Sequence, residues 1–188
     1  MNGLWRNLRY DLPLHFVLRL TGILPDNVVF LRLRGWLARP FFKSCGKNLR
    51  LARGITFYNP TQITLGADVY IGYGCYIIAD AEIKIDDQVL FGPYVVVASS
   101  NHTRKDRSYR YGAHTAAPIY VGRGSWVGAH VTLMSGASIG QGCLVASHAA
   151  VAAGDYADDA FIAGVPARVK STVSDYQAND ESVASVHG

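Results

Sequence analysis

The apolar residues of this chain keep a period that fits neither a helix nor an ordinary strand. From Leu65 the chain reads LGADVY, IGYGCY, IIADAE; from Ile85 IDDQVL, FGPYVV; from Val121 VGRGSW, VGAHVT, LMSGAS, IGQGCL, VASHAA, VAAGDY. The first place of each hexapeptide is almost always Ile, Leu or Val, and the second is usually Gly or Ala. The fifth is small or β-branched, as at Val69, Cys75, Val89, Val95, Ser125, Val131, Ala137, Cys143 and Ala149. Such a period suits short strands joined by tight turns, where the glycine accepts backbone angles that other residues resist. Three hexapeptides then close a triangular coil of about 18 residues, and each large apolar side chain stacks on its counterpart in the next coil. Cys75 and Cys143 fall at the small inward place, as packing residues. A phase slip of two residues between Ile83 and Ile85 predicts a bulged or extended turn there.

The pattern stops once, in SSNHTRKDRSYRYGAHTAAP, and resumes at Ile119 to Val121 in the phase it left at Val97. Residues 98–118 are therefore an excursion loop from the coil, and long loops on a regular scaffold usually carry function. Ahead of the repeats, LPDNVVFLRLRGWLARPFF offers Asp26 or Asn27 as a helix cap, apolar residues at helical spacing and Pro40 as a stop, which predicts one or two helices. After Lys170, STVSDYQANDESVASVHG has the polar composition of a frayed tail. The chain thus divides into a helical leader over 1–48, a β-helix over 49–170 with its loop at 98–118, and a tail over 171–188.

A length of 188 residues, about half of them apolar, suits one domain with a substantial core. Cys45, Cys75 and Cys143 are odd in number and lack CxxC spacing, so neither a disulfide framework nor a zinc site is indicated, and a reducing, cytoplasmic setting fits. No secretory signal pattern follows Met1, and the apolar runs fall far short of the ~20 residues that span a bilayer. Charge changes the picture more. Residues 1–53 carry ten Arg and Lys against Asp11 and Asp26, a balance of +8 in a chain of net +4. With Trp5, Phe16, Phe30, Trp36, Phe41 and Phe42 interleaved, this leader reads either as a membrane-surface element, at the inner face of the membrane, or as a solvated cap on the repeat array. No recognition motif accompanies the charge, so nucleic acid is not expected as a partner.

These hexapeptides resemble those of the hexapeptide-repeat acyltransferases over about residues 49–170. The resemblance implies an all-β fold, a left-handed parallel β-helix with a short N-terminal helical segment and an excursion loop. SWVGAHVTLMSGASIGQGCLVASHAAV looks like the family's acyl-CoA coils, AGVPAR is similar to its closing signature, and His102 follows Asn101 about 20 residues before Trp126, as in the sugar O-acetyltransferase branch. It makes His102 the catalytic base and acetyl-CoA the co-substrate, and it implies a homotrimer with the site between two subunits. The chemistry independently wants such a group, because an acceptor hydroxyl attacks a thioester poorly until its proton is removed, and imidazole titrates near neutral pH. The same resemblance puts Asp80 and Asn101 at the acceptor, where Asp80 holds a sugar hydroxyl, orients His102 or is a solvated turn residue. It maps Trp126, Ala129, Ser147, Ala152 and Ala153 to the donor arm, and Arg168 with Lys170 to its phosphates. Ile77 and Ile78 stand near where that branch has an asparagine, and the lysine it often carries near Ala153 is absent.

The leading expectation is an acetyl-CoA-dependent O-acetyltransferase acting on a sugar hydroxyl in surface polysaccharide biosynthesis, with a saccharide acceptor that is free or lipid-linked. The alternatives are an N-acetyltransferase of an amino sugar nucleotide, a non-catalytic β-helix scaffold, and a metal-dependent hydratase. The last would use His130 and His148, one coil apart, with His102, but the closely spaced histidine pair of the hydratase subgroup has no equivalent here, and no metal is expected. His114 is a loop residue near the acceptor mouth.

Overall fold

Large apolar residues returning every sixth position can all be buried only if successive coils stack in register. The computed structural model, which describes residues 3–177, has that arrangement. Short strands, parallel except for the last one of the second sheet, form three sheets of six, seven and five strands that are the faces of a left-handed β-helix. Each coil contributes in turn to the first, second and third sheet, as Ile83–Ile85, Leu90–Phe91 and Val96–Ala98 do. The interior is one apolar column in which Ile71, Ile77, Phe91, Val97, Val121 and Leu133 have no exposed surface. Cys75 and Cys143 lie within it, and burial pushes the Cys75 thiol up to about 11.

The coil is longer than 18 residues at the bottom. Ile63 stands opposite Ile83 and Leu65 opposite Ile85, a stagger of 20. The stagger falls to 18 between Tyr120 and Ser138, and to 17 between Ala137 and Gly154. The two extra residues leave at one corner, between the third and first sheets. They form the extended turn before Ile83–Ile85 and, one coil below, the 3-10 turn Pro60–Gln62.

The hexapeptide glycine has a different cause from the one expected. Gly128 is not among the residues of positive φ. Its place in the stack instead leaves no room for a side chain, since a Cβ there would lie 2.7 Å from the Ser147 nitrogen of the next coil. The left-handed angles occur two residues later, at the fourth place, where Asp68, Gln88, Tyr94, His130 and His148 turn the corners.

The leader comprises α1 (Gly3–Arg6), a π turn (Asn7–Asp11), α2 (Leu12–Thr21) and α3 (Val28–Ala38). Of the two candidate caps Asn27 is the one used, its side chain accepting from the Phe30 N–H at 3.1 Å. The first coil strand, Ser44–Cys45, opens inside the span assigned to the leader. At the other end Arg168–Thr172 folds back antiparallel on Ala160–Ala163 and residues 173–177 are helical, while the rest of the predicted tail lies outside the described residues.

One buried guanidinium ties the leader to the helix. Arg34, 1% exposed, donates to the carbonyls of Thr21, Leu24 and Leu51 at 3.2, 2.6 and 3.0 Å, and to Asp26 at 2.7 Å. Asp26 also meets Arg53 at 3.4 Å. A planar fork of donors matches this set of acceptors and an ammonium does not. Arg34→Ala is expected to lower stability in urea unfolding by about 3–5 kcal/mol, the cost of leaving buried partners unpaired, and Arg34→Lys to recover only part of it.

Candidate active site

The five strands of the third sheet carry the candidate site from one end to the other. Their outward residues form two columns: Thr56, Tyr76, Val96, Thr132 and Ala150, and beside it Tyr58, Ile78, Ala98 and Met134. The lower end is aromatic and polar. The upper end is mostly small.

At the lower end α2 and the π turn lie across the sheet and enclose a cavity of about 900 Å3, lined by Arg6, Asp11, Arg19, Tyr58, Tyr76 and Asp80, among others. That volume is in the range of small-molecule sites, roughly 300–1,000 Å3. Asp11 is anchored by one oxygen, which accepts from the Asn59 N–H at 2.7 Å. Its Oδ2 and the Arg6 Nε, 3.6 Å apart, are both buried without a hydrogen-bond partner among the described residues. They are ion-paired with each other but lack a hydrogen bond, and a carboxylate and a guanidinium on a cavity wall suit a ligand bearing hydroxyl groups. A hydrogen bond with Tyr58, and then burial, raise the pKa of the Tyr76 phenol, which keeps it a donor.

The excursion springs from the central strand of the same sheet, and it is a β-hairpin. Ser100–His102 pairs antiparallel with His114–Ala116, His102 standing opposite His114. A tight turn with positive φ at both Asp106 and Arg107 closes its tip. Its root is clamped by two buried hydroxyls. Ser135 Oγ donates to the Ser99 carbonyl and accepts from the Ala117 N–H, both at 3.0 Å, and Ser99 Oγ accepts from the Ala81 N–H at 2.9 Å. Asp80 accepts from Ser100 Oγ at 2.6 Å, joining the cavity wall to the hairpin root. Asp80 lines the cavity, and its hydrogen bond goes to Ser100 and not to His102. Asn101 and His102 are exposed, and the His102 ring packs edge-on against His114 at 4.1 Å.

The predicted donor residues divide between two corners. Ala129 and Ser147 lie one above the other where the second sheet meets the third, and no hydrogen bond among the described residues uses either N–H. Trp126 and Ser147 share a groove of about 540 Å3 with Leu144, Phe161 and Tyr176, outside the second sheet. Ala152 and Ala153 stand at the opposite edge of the third sheet, after Ala150–Val151. The AGVPAR segment covers the end of that sheet, Ala167 N–H donating to the Ala150 carbonyl at 2.8 Å, and sets Arg168 and Lys170 exposed on the last strand. His130 and His148 stack at 4.9 Å on each other, and His130 on Tyr94, apart from the His102–His114 contact. Among the described residues no group of three or more His, Cys, Asp or Glu side chains could hold a metal ion.

No family model matches the chain. It is 27% identical over 139 residues to a galactoside O-acetyltransferase of Escherichia coli K12, an alignment covering 74% of this chain and 68% of that one. A galactoside acetyltransferase solved with coenzyme A superposes over 95% of this chain and 86% of that one, with a TM-score of 0.80 at 24% identity. A hexapeptide-repeat acetyltransferase of Vibrio cholerae solved with acetyl coenzyme A gives 0.74 at 22%, covering 86% of each chain. The chain has the fold of these hexapeptide-repeat acetyltransferases and is similar in sequence to the galactoside O-acetyltransferases. It spans between 55% and 68% of the length of three curated relatives.

Two features of this site leave no signal in the sequence. Asp11 sits in a helical stretch without a motif, and only the folding of the leader over Asn59 reveals it. The hairpin turn lacks the usual Asn-Gly or Asp-Gly signal. Because the Ala117 N–H is shared between Ser135 Oγ and the Ser99 carbonyl, Ser135→Ala is expected to speed amide hydrogen exchange at Ala117 by an amount equivalent to about 0.5–1.5 kcal/mol, leaving exchange in the lower coils unchanged.

Proposed function

We propose that the protein transfers the acetyl group of acetyl-CoA to a hydroxyl of a saccharide held in the cavity beneath the leader, with His102 as the general base. The observation that carries this reading is the continuity of the third sheet. Its outer face runs from a cavity walled by the Asp11–Arg6 ion pair, past the root of a histidine-bearing hairpin, to a corner where no hydrogen bond among the described residues uses the Ala129 and Ser147 N–H groups. A carboxylate, a guanidinium and two phenols suit hydroxyl-rich ligands, and the paired rings of Tyr58 and Tyr76, 5.5 Å apart, offer an apolar face to a sugar ring.

In the reaction, His102 accepts the proton of the attacking hydroxyl as its oxygen bonds to the thioester carbonyl carbon. Backbone N–H groups are the natural donors to the negative charge that develops on the carbonyl oxygen. Collapse breaks the carbon–sulfur bond, and the departing thiolate takes the proton back from His102, so atoms and charge balance without an acyl-enzyme. Burial raises the Cys45 and Cys75 thiols to about 11, which keeps them from serving as nucleophiles. Arg168 and Lys170 supply cations for the donor's phosphates.

The hairpin also supports a trimer. Tyr109 and Tyr111 are 61% and 78% exposed on it, an aromatic surface that a second copy would cover while placing His102 between subunits. A cavity with room for more than one sugar ring suits an acceptor in surface polysaccharide biosynthesis, and a lipid-linked acceptor would put the enzyme at a membrane face.

His102→Ala is expected to reduce saccharide-dependent thiol release from acetyl-CoA by ~100-fold or more; activity that survives the substitution would exclude this histidine as the base. Asp11→Ala is expected to raise the KM for the saccharide about tenfold, the size of one lost hydrogen bond to a charged group, with the KM for acetyl-CoA unchanged.

A further inference from the structure

The leader is amphipathic in a way the acceptor cavity does not use. α2 turns Leu14, Leu18 and Thr21 onto the coils, all nearly inaccessible. On its other side a stripe of large apolar residues is open to solvent: Trp5, Leu8, Phe16 and Leu20, with Leu12 at the edge shared with the cavity, exposed by 46–70%. A stripe at four-residue spacing drifts round a straight α-helix, and the wider π turn at Asn7–Asp11 takes up part of that drift, keeping the early and late residues on one side.

The charge around this stripe has one sign. Both acidic residues of the leader are turned inward, Asp11 to the Asn59 N–H and Arg6, Asp26 to Arg34 and Arg53. Arg9, Arg19 and Arg32 stay exposed without a carboxylate within ion-pair distance among the described residues. A second copy of the leader would bring the same positive face against this one. An anionic bilayer complements it, since the apolar residues enter the acyl boundary and the arginines meet the headgroups, with tryptophan at the interface between them.

We infer that the outer face of the leader is a docking surface for an anionic phospholipid bilayer. The same helix walls the acceptor cavity, through Asp11, Leu12, His15 and Arg19, so docking would set the mouth of that cavity beside the headgroup layer. This inference does not depend on the identity of the base or the donor.

The test is flotation of the full chain with vesicles of phosphatidylcholine alone or with about 30% phosphatidylglycerol, at low salt and at about 0.5 M, where screening is nearly complete. Binding is expected only to the anionic vesicles at low salt, and to fall at least about tenfold in the triple variant Leu8→Glu, Phe16→Glu, Leu20→Glu. Thiol release with a water-soluble saccharide should be the same in the variant and the wild type. Equal binding of variant and wild type would overturn the inference, as would loss of the wild-type oligomer in the variant by light scattering, which would make the stripe a contact between copies. Independently of the variant, brominated acyl chains should quench the Trp5 fluorescence, read as the difference between wild type and Trp5→Phe; no difference would also overturn it.

Discussion

Every coil must place its inward residues over those of the coil below, and this constraint governs the rest of the molecule. Strands of two or three residues make too few hydrogen bonds to stand alone, so their stability comes from the stack. A coil can therefore gain residues only where they leave the stack, at a corner. The chain does this at one corner three times. Two residues are added in each of two lower coils, and a whole hairpin is added before Ile119, after which Ile119 still lies opposite Ile83. The register closes over the insertion as though it were absent.

That constraint explains what could be read from sequence. A residue whose role is set by the stack repeats, and its period shows: the inward Val69, Val95, Val131 and Cys143 were legible as core, and so was the departure at residue 98. The second-place glycine was legible as a position, though its cause was not, because Gly128 answers to the closeness of the next coil and no local pattern carries that distance. Roles set by a single contact leave no period. Asp11, Ser135 and Arg34 each act through one meeting of distant segments, with partners 48, 36 and 17 residues away in the chain. Nothing in their neighbourhoods separates them from an ordinary helix carboxylate, turn serine or surface arginine.

The candidate site follows the same division of labour. The sheets supply rigid, evenly spaced columns, and the chemistry is attached where the columns end or are interrupted. The proposed base, His102, stands on a hairpin that leaves the coil, where its ring is exposed rather than packed into the stack. Inward places are dry and apolar, and outward ones are fixed flat against the sheet by neighbours above and below. Two hydroxyls hold the root of the hairpin: Ser99 gives the Ala81 N–H its acceptor, and Ser135 adds a bond to each member of the Ala117–Ser99 backbone pair.

The leader answers a problem that stacking creates. The first coil has no coil beneath it, and the ends of a repeat array need a cap. Here α3 covers the strand Arg50–Leu51 through a close approach of Gly35 to the Leu49 backbone, and Arg34 fixes the loop before it. A cap need only be apolar on the side that faces the array. This one is also apolar on the side that faces away, at Leu8, Phe16 and Leu20, and end-capping cannot account for that second face. Folding alone would be served by polar residues there, so the exposed stripe has to be explained by what the leader meets outside the chain.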